Sequence, residues 1–100
     1  MKILILEDDK DLNETLFQLL HKKNRLIKTF IDSDEACDDI TSNVYDLYIL
    51  DINVQGSLNG YDVAQYVKKV NKDAVILIIS AITDYDSVEI AHKMAMFFYQ

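Results

Sequence analysis

Three unbroken apolar stretches constrain this chain more than any other feature: Ile3-Leu4-Ile5-Leu6, Leu47-Tyr48-Ile49-Leu50 and Ala74 to Ile79. A half-exposed strand alternates polar and apolar residues, whereas a short continuous run marks a strand covered on both faces. Between the runs the period changes. Leu12, Leu16, Leu19 and Leu20 recur at helical spacing, and Val63, Tyr66, Val67 and Val70 sit at i, i+3, i+4 and i+7. Weaker signals fill the gaps. Leu26 to Ile31 reads as a second strand near an edge, and Ser33 as the cap of a short helix carrying Ala36, Cys37 and Ile40. Tyr85, Val88 and Ala91 outline a further helix, and Phe97-Phe98-Tyr99 a last strand.

Strands alternating with helices predict βαβ units, hence an α/β fold with a doubly wound parallel sheet. A length of 100 residues suits one domain spanning 1–100. The fifth strand is incomplete at Gln100, and the helix that would cover it is absent from this sequence. The lone Cys37 excludes an internal disulfide and a cysteine-rich metal site. No apolar run is long enough to span a membrane, and the acidic turn after Leu6 comes too early for a signal peptide, so a cytoplasmic location is expected. A formal net charge of −7 argues against direct nucleic-acid binding. It also means that any phosphate chemistry here needs a cation.

Two of the central runs end in carboxylates: Leu6 leads into Glu7-Asp8-Asp9, and Leu50 into Asp51. Ligands of open parallel sheets bind beyond the carboxyl ends of the strands, where the strand order reverses. In an order 2-1-3-4-5 the first and third strands are neighbours, so Glu7, Asp8 and Asp51 converge in one cleft. Like charges held together are costly without a cation. Oxygen donors with no His or Cys among them favour Mg²⁺. Asp9 and Asp11 are read structurally, as acids complementing the first turn of a helix. Asp51 has no such excuse, because Ile52-Asn53-Val54 does not begin a helix. Ser80, at the end of the run Ala74 to Ile79, can donate to a phosphoryl oxygen or cap the next turn.

These residues resemble the receiver domain of two-component response regulators, through ILILEDD at the start, YILDINVQGSLNGYDVA in the middle and VILIISA in the fourth strand. The resemblance covers Met1 to Gln100 and implies a flavodoxin-like fold with strand order 2-1-3-4-5. It implies a phosphoacceptor at Asp51 and Mg²⁺ held by Glu7, Asp8, Asp51 and the backbone carbonyl of Asn53. It places Ser80 as the hydroxyl that moves toward the phosphoryl group, Ala81 as the small residue beside it, and Tyr99 as the aromatic coupled to that movement. The implied partner is a sensor histidine kinase or phosphotransfer protein. No enzymatic role is expected beyond self-phosphorylation from a phosphodonor and slow self-dephosphorylation.

The chain departs from the family pattern in places. The family's lysine after the fifth strand and the fifth helix have no counterpart, and Lys93, on the preceding helix, is no obvious substitute. The loop after Asp51 is one residue longer than the commonest form and lacks proline. The uncovered apolar face invites a homodimer or a partner's helix. An alternative reading is therefore a non-phosphorylated receiver-like scaffold acting through protein contacts. Cys37 is read as a small core residue, His21 and His92 as isolated side chains without metal roles, and Asp32, Asp34, Glu35, Asp38 and Asp39 as a solvated helix face.

Overall fold

Alternate residues of each central strand point to opposite faces, and the two faces bury separate clusters. The computed structural model describes residues 1–81 and 94–99, with residues 80–81 and 94–99 described by their backbone. The elements run β1 (Lys2–Leu6), α1 (Lys10–Leu20), β2 (Leu26–Phe30), α2 (Ser33–Ser42), β3 (Leu47–Asp51), α3 (Gly60–Val70), β4 (Val75–Ala81) and β5 (Met94–Tyr99). They form one five-stranded sheet in the order β2-β1-β3-β4-β5. Leu4, Leu6, Tyr48, Leu50, Ile76 and Ile78 face α2 and α3, where Ala36, Ile40, Val63, Ala64 and Val67 close the layer. Ile3, Ile5, Ile49 and Ile79 face the other way, against Leu16 and Leu20 of α1. Continuous apolar runs are thus what a two-sided sheet requires.

β1 pairs in parallel with β2 and β3, and β3 in parallel with β4, so the doubly wound arrangement holds through four strands. The fifth departs from the all-parallel expectation: β5 pairs antiparallel with β4, Ala81 opposite Met94 and Ile76 opposite Tyr99. A parallel return needs a crossover of a dozen or more residues, usually helical, whereas an antiparallel strand can fold straight back along the edge. Residues 82–93, which join the two strands, lie outside the described residues. The expected helix over Tyr85, Val88 and Ala91 lies outside the described residues, as do His92 and Lys93.

Helix boundaries correct the sequence reading in three places. Asp32, rather than Ser33, caps α2, with its carboxylate accepting from the N–H groups of Asp34 and Glu35. Ser33 lies inside the first turn, fully buried. Leu19 and Val70 share their helices' apolar spacing yet are 70% and 48% exposed, because each lies at a helix end where the sheet no longer covers it. Asp9 caps α1 through the N–H groups of Asp11 and Leu12, in keeping with its structural reading. Cys37 packs part-buried against the core. Among the described residues no helix is long and apolar enough to cross a membrane.

Candidate metal and phosphoacceptor site

The site forms because β1 and β3 lie side by side in register, Leu6 opposite Leu50, so that their following residues emerge together. One carboxylate oxygen from each of Glu7, Asp8 and Asp51 lies within 4.8 Å of the other two. Glu7 and Asp51 are buried, at 3% and 6% exposure, while Asp8 is part-exposed and forms the open side. The cleft anticipated from the strand ends is therefore present.

Its electrostatics are those of a site under strain from like charge. Burial, reinforced by the neighbouring Asp51 and Asp8 charges, pushes the Glu7 carboxyl from 4.5 up to about 8. Burial also raises Asp51 above the ordinary carboxylate range. The Glu7 carboxyl beside it opposes that shift by favouring the ionised form, and the charge on Asp8 adds to it. One Glu7 oxygen, Oε1, accepts the Asp9 N–H at 3.1 Å. The other, Oε2, is buried and has no hydrogen-bond partner among the described residues. A buried carboxylate oxygen without a donor is costly, and a hard cation is the partner its chemistry suits. With three oxygen donors converging and neither imidazole nor thiolate among them, the donor set fits Mg²⁺.

Backbone and side-chain ties set these acids in place. The Glu7 N–H donates to the Phe30 carbonyl at 3.0 Å. The Asn13 amide nitrogen donates to the carbonyls of Glu7, at 2.9 Å, and Phe30, at 3.1 Å, tying both strand ends to α1. Sequence reasoning passed over Asn13; the available signal was a polar residue three before Leu16 and seven before Leu20 on the buried stripe. Gly60 was passed over too. A Cβ there would overlap the Asp51 carbonyl, and the Gly60 N–H donates to the Ile52 carbonyl at 2.9 Å, so α3 starts hard against the end of β3.

The remaining candidates lie at the neighbouring strand end. Ser80 and Ala81 fall within β4 rather than just after it, one and two residues beyond Ile79, which pairs with Asp51. Their side chains lie outside the described residues, as does that of Tyr99. The register sets Tyr99 opposite Ile76 and Ser80 opposite Ala95, so the backbone places Tyr99 toward the start of β4, away from Ser80. The antiparallel direction of β5 is the reason. Asn53 follows in the loop, two residues beyond Asp51.

Comparison with known proteins bears on this arrangement. The family model described as response regulator receiver domain matches residues 3–99. Response regulator ArlR of Staphylococcus aureus is 31% identical over 87 residues, which are 87% of this chain and 39% of the relative, so the chain spans well under half that protein's length. The crystal structure of response regulator TrrA from Thermotoga maritima in complex with Mg²⁺-BeF superposes with a TM-score of 0.73 at 34% identity, over 86% of this chain and 74% of that one. The non-phosphorylated HemR receiver domain of Leptospira biflexa gives 0.72 at 31% identity, over 84% and 67%. TrrA in complex with histidine kinase ThkA gives 0.70 at 30% identity, over 88% and 77%.

Proposed function

The chain belongs to the response regulator receiver domain family, and from that premise we propose that it is the phosphoacceptor module of a two-component system, phosphorylated on Asp51. The observation that carries the assignment is the convergence of the Glu7, Asp8 and Asp51 carboxylates at the ends of β1 and β3, with Glu7 and Asp51 buried. Glu7, Asp8, Asp51 and the backbone carbonyl of Asn53 would hold Mg²⁺. Bound there, the ion supplies positive charge that offsets the carboxylates and the incoming phosphoryl oxygens. Phosphoryl transfer asks a protein mainly for positioning and charge stabilisation, which suits a site with few catalytic groups.

An Asp51 carboxylate oxygen forms the new P–O bond while the donor's bond to phosphorus breaks. The product is an acyl phosphate on Asp51. Ser80 would donate its hydroxyl to a phosphoryl oxygen, and Ala81 would leave room beside it. Tyr99, paired at Ile76 in the sheet, would be the aromatic coupled to the Ser80 movement. The donor would be a phosphohistidine on a sensor kinase or phosphotransfer protein, in line with the TrrA–ThkA complex. A scaffold that is never phosphorylated has no observation in its favour, because it leaves the crowded acids without a purpose.

The test is intact-mass spectrometry after incubation with acetyl phosphate and Mg²⁺. The chain should gain one phosphoryl group, and Asp51→Ala none. No gain in the wild type, or an unaltered gain in the variant, overturns the assignment.

A further inference from the structure

The outer edge of β2 and the face of α1 beside it form an open groove. We propose that this groove takes an acidic, extended segment of a partner protein, which pairs with β2 as a further strand of the sheet.

The backbone offers the pairing. β2 ends the sheet, so it has a neighbouring strand on one side only. The Leu26 N–H donates to the Met1 carbonyl at 2.9 Å, and the Phe30 carbonyl accepts the Glu7 N–H at 3.0 Å. Alternate residues of a strand bond to opposite sides, so Leu26, Lys28 and Phe30 turn their backbone groups toward β1. Ile27 and Thr29 turn theirs outward, as donors and acceptors that an added strand can use.

A cavity follows the same edge. Its volume is about 430 Å³, and its walls include Lys10, Glu14, Phe17 and Gln18 of α1, with Thr29 of β2 and Ile31 just beyond it. The helix positions recur at i, i+4, i+7 and i+8, so they form one face of α1. That face is about 12 Å long, the reach of about four extended residues. Side chains of an added strand alternate between the two sides of the sheet. Half would enter the cavity against Ile31 and the half-buried Phe17, whose ring stacks on His21. The other half would lie on the α2 side, beside Leu26, which is 64% exposed, and Lys28, which pairs there with Asp39.

Charge selects the occupant. Thr15 to Ile31 carries Lys22, Lys23, Arg25 and Lys28 and no acid, in a chain of net charge −7. An acidic segment is attracted to this edge and repelled by the rest of the surface. A second copy is disfavoured, because two-fold pairing of β2 with itself sets the basic stretch against its own image.

The experiment titrates the isotope-labelled full chain, at low salt, with a synthetic peptide in which glutamate alternates with valine around a central phenylalanine. The Ile27 and Thr29 amide signals and the Phe17 ring should shift first, and both amides should gain protection from hydrogen exchange. A peptide N-methylated on the amides that face β2 should bind about tenfold more weakly, as should one with lysine in place of glutamate. Phe17→Ala should weaken binding about tenfold while the Leu4 and Ile49 signals keep their positions. Absence of shifts at millimolar peptide overturns the proposal, and so do shifts centred on the acidic cleft. Equal binding of the N-methylated peptide would mean contact without strand pairing, and equal binding of the lysine peptide would mean no charge selection; either overturns it. Concentration-dependent shifts of Ile27 and Thr29 without peptide would give the edge to a second copy instead.

Discussion

Replacing Glu7 by Gln should make the metal-free protein more stable, and more so as the pH rises. In the folded chain Glu7 holds its proton up to about 8, against 4.5 for the ordinary carboxyl. Below pH 4.5 both folded and unfolded chains carry the proton, so there is no penalty. As pH rises from there toward 8 the unfolded chain releases its proton and the folded chain does not, so stability falls through that window. At pH 7.5 the gap of about three units corresponds to at most about 4 kcal/mol, and partial hydration of the cleft reduces this to about 1–3 kcal/mol. Glu7→Gln escapes that penalty while keeping the Oε1 acceptor for the Asp9 N–H. In a domain of this size it should raise the melting temperature by roughly 5–15 °C at pH 7.5 and by little at pH 4.5. The assay is thermal unfolding followed by circular dichroism at both pH values, with and without millimolar Mg²⁺. Mg²⁺ should stabilise the wild type and have much less effect on the variant. A pH-independent difference, a less stable variant, or equal stabilisation by Mg²⁺ would refute the reasoning.

Other variants probe the supports around the site. Asn13→Ala removes a buried donor from the Glu7 and Phe30 carbonyls and should cost about 1–3 kcal/mol in urea unfolding, with weaker Mg²⁺ binding. Gly60→Ala forces a methyl group into the Asp51 backbone and should cost about 1–3 kcal/mol. It should also slow phosphoryl uptake from acetyl phosphate, measured by mass. Tyr45→Phe removes the phenol that donates to Asp39, a carboxyl kept below its usual range by Lys28 and Tyr45 although burial opposes them. The loss should be about 1–3 kcal/mol at pH 7 and should shrink as pH falls below about 4, where Asp39 takes up a proton in the unfolded chain.

The parts of the fold that could be read from the sequence are those with one physical cause. Unbroken runs such as Ile3–Leu6 need cover on both faces, which leaves little but a parallel sheet, and β1, β3 and β4 follow. Glu7, Asp8 and Asp51 were legible because a buried strand running into acids puts charge where burial makes it costly. Spacing does not show where a helix leaves the sheet, so Leu19 and Val70 look apolar and buried yet are exposed. Nor does it distinguish Asp32 from Ser33 as the cap of α2, since both side chains can accept an N–H. The aromatic run Phe97-Phe98-Tyr99 suits either pairing, so the run itself does not reveal that β5 is antiparallel to β4. Asn13, Gly60 and the hydrogen bond between Asp34 and Ser57 act through contacts between segments far apart in the chain, which no local pattern encodes.

The most direct measurement is where a divalent ion sits. Mn²⁺, titrated as a paramagnetic substitute for Mg²⁺ into isotope-labelled protein, should broaden the amide signals of Glu7, Asp8, Asp51 and Asn53 first. Excess Mg²⁺ should restore them. Broadening centred on the acidic face of α2 instead, or spread without focus over the surface, would contradict the account.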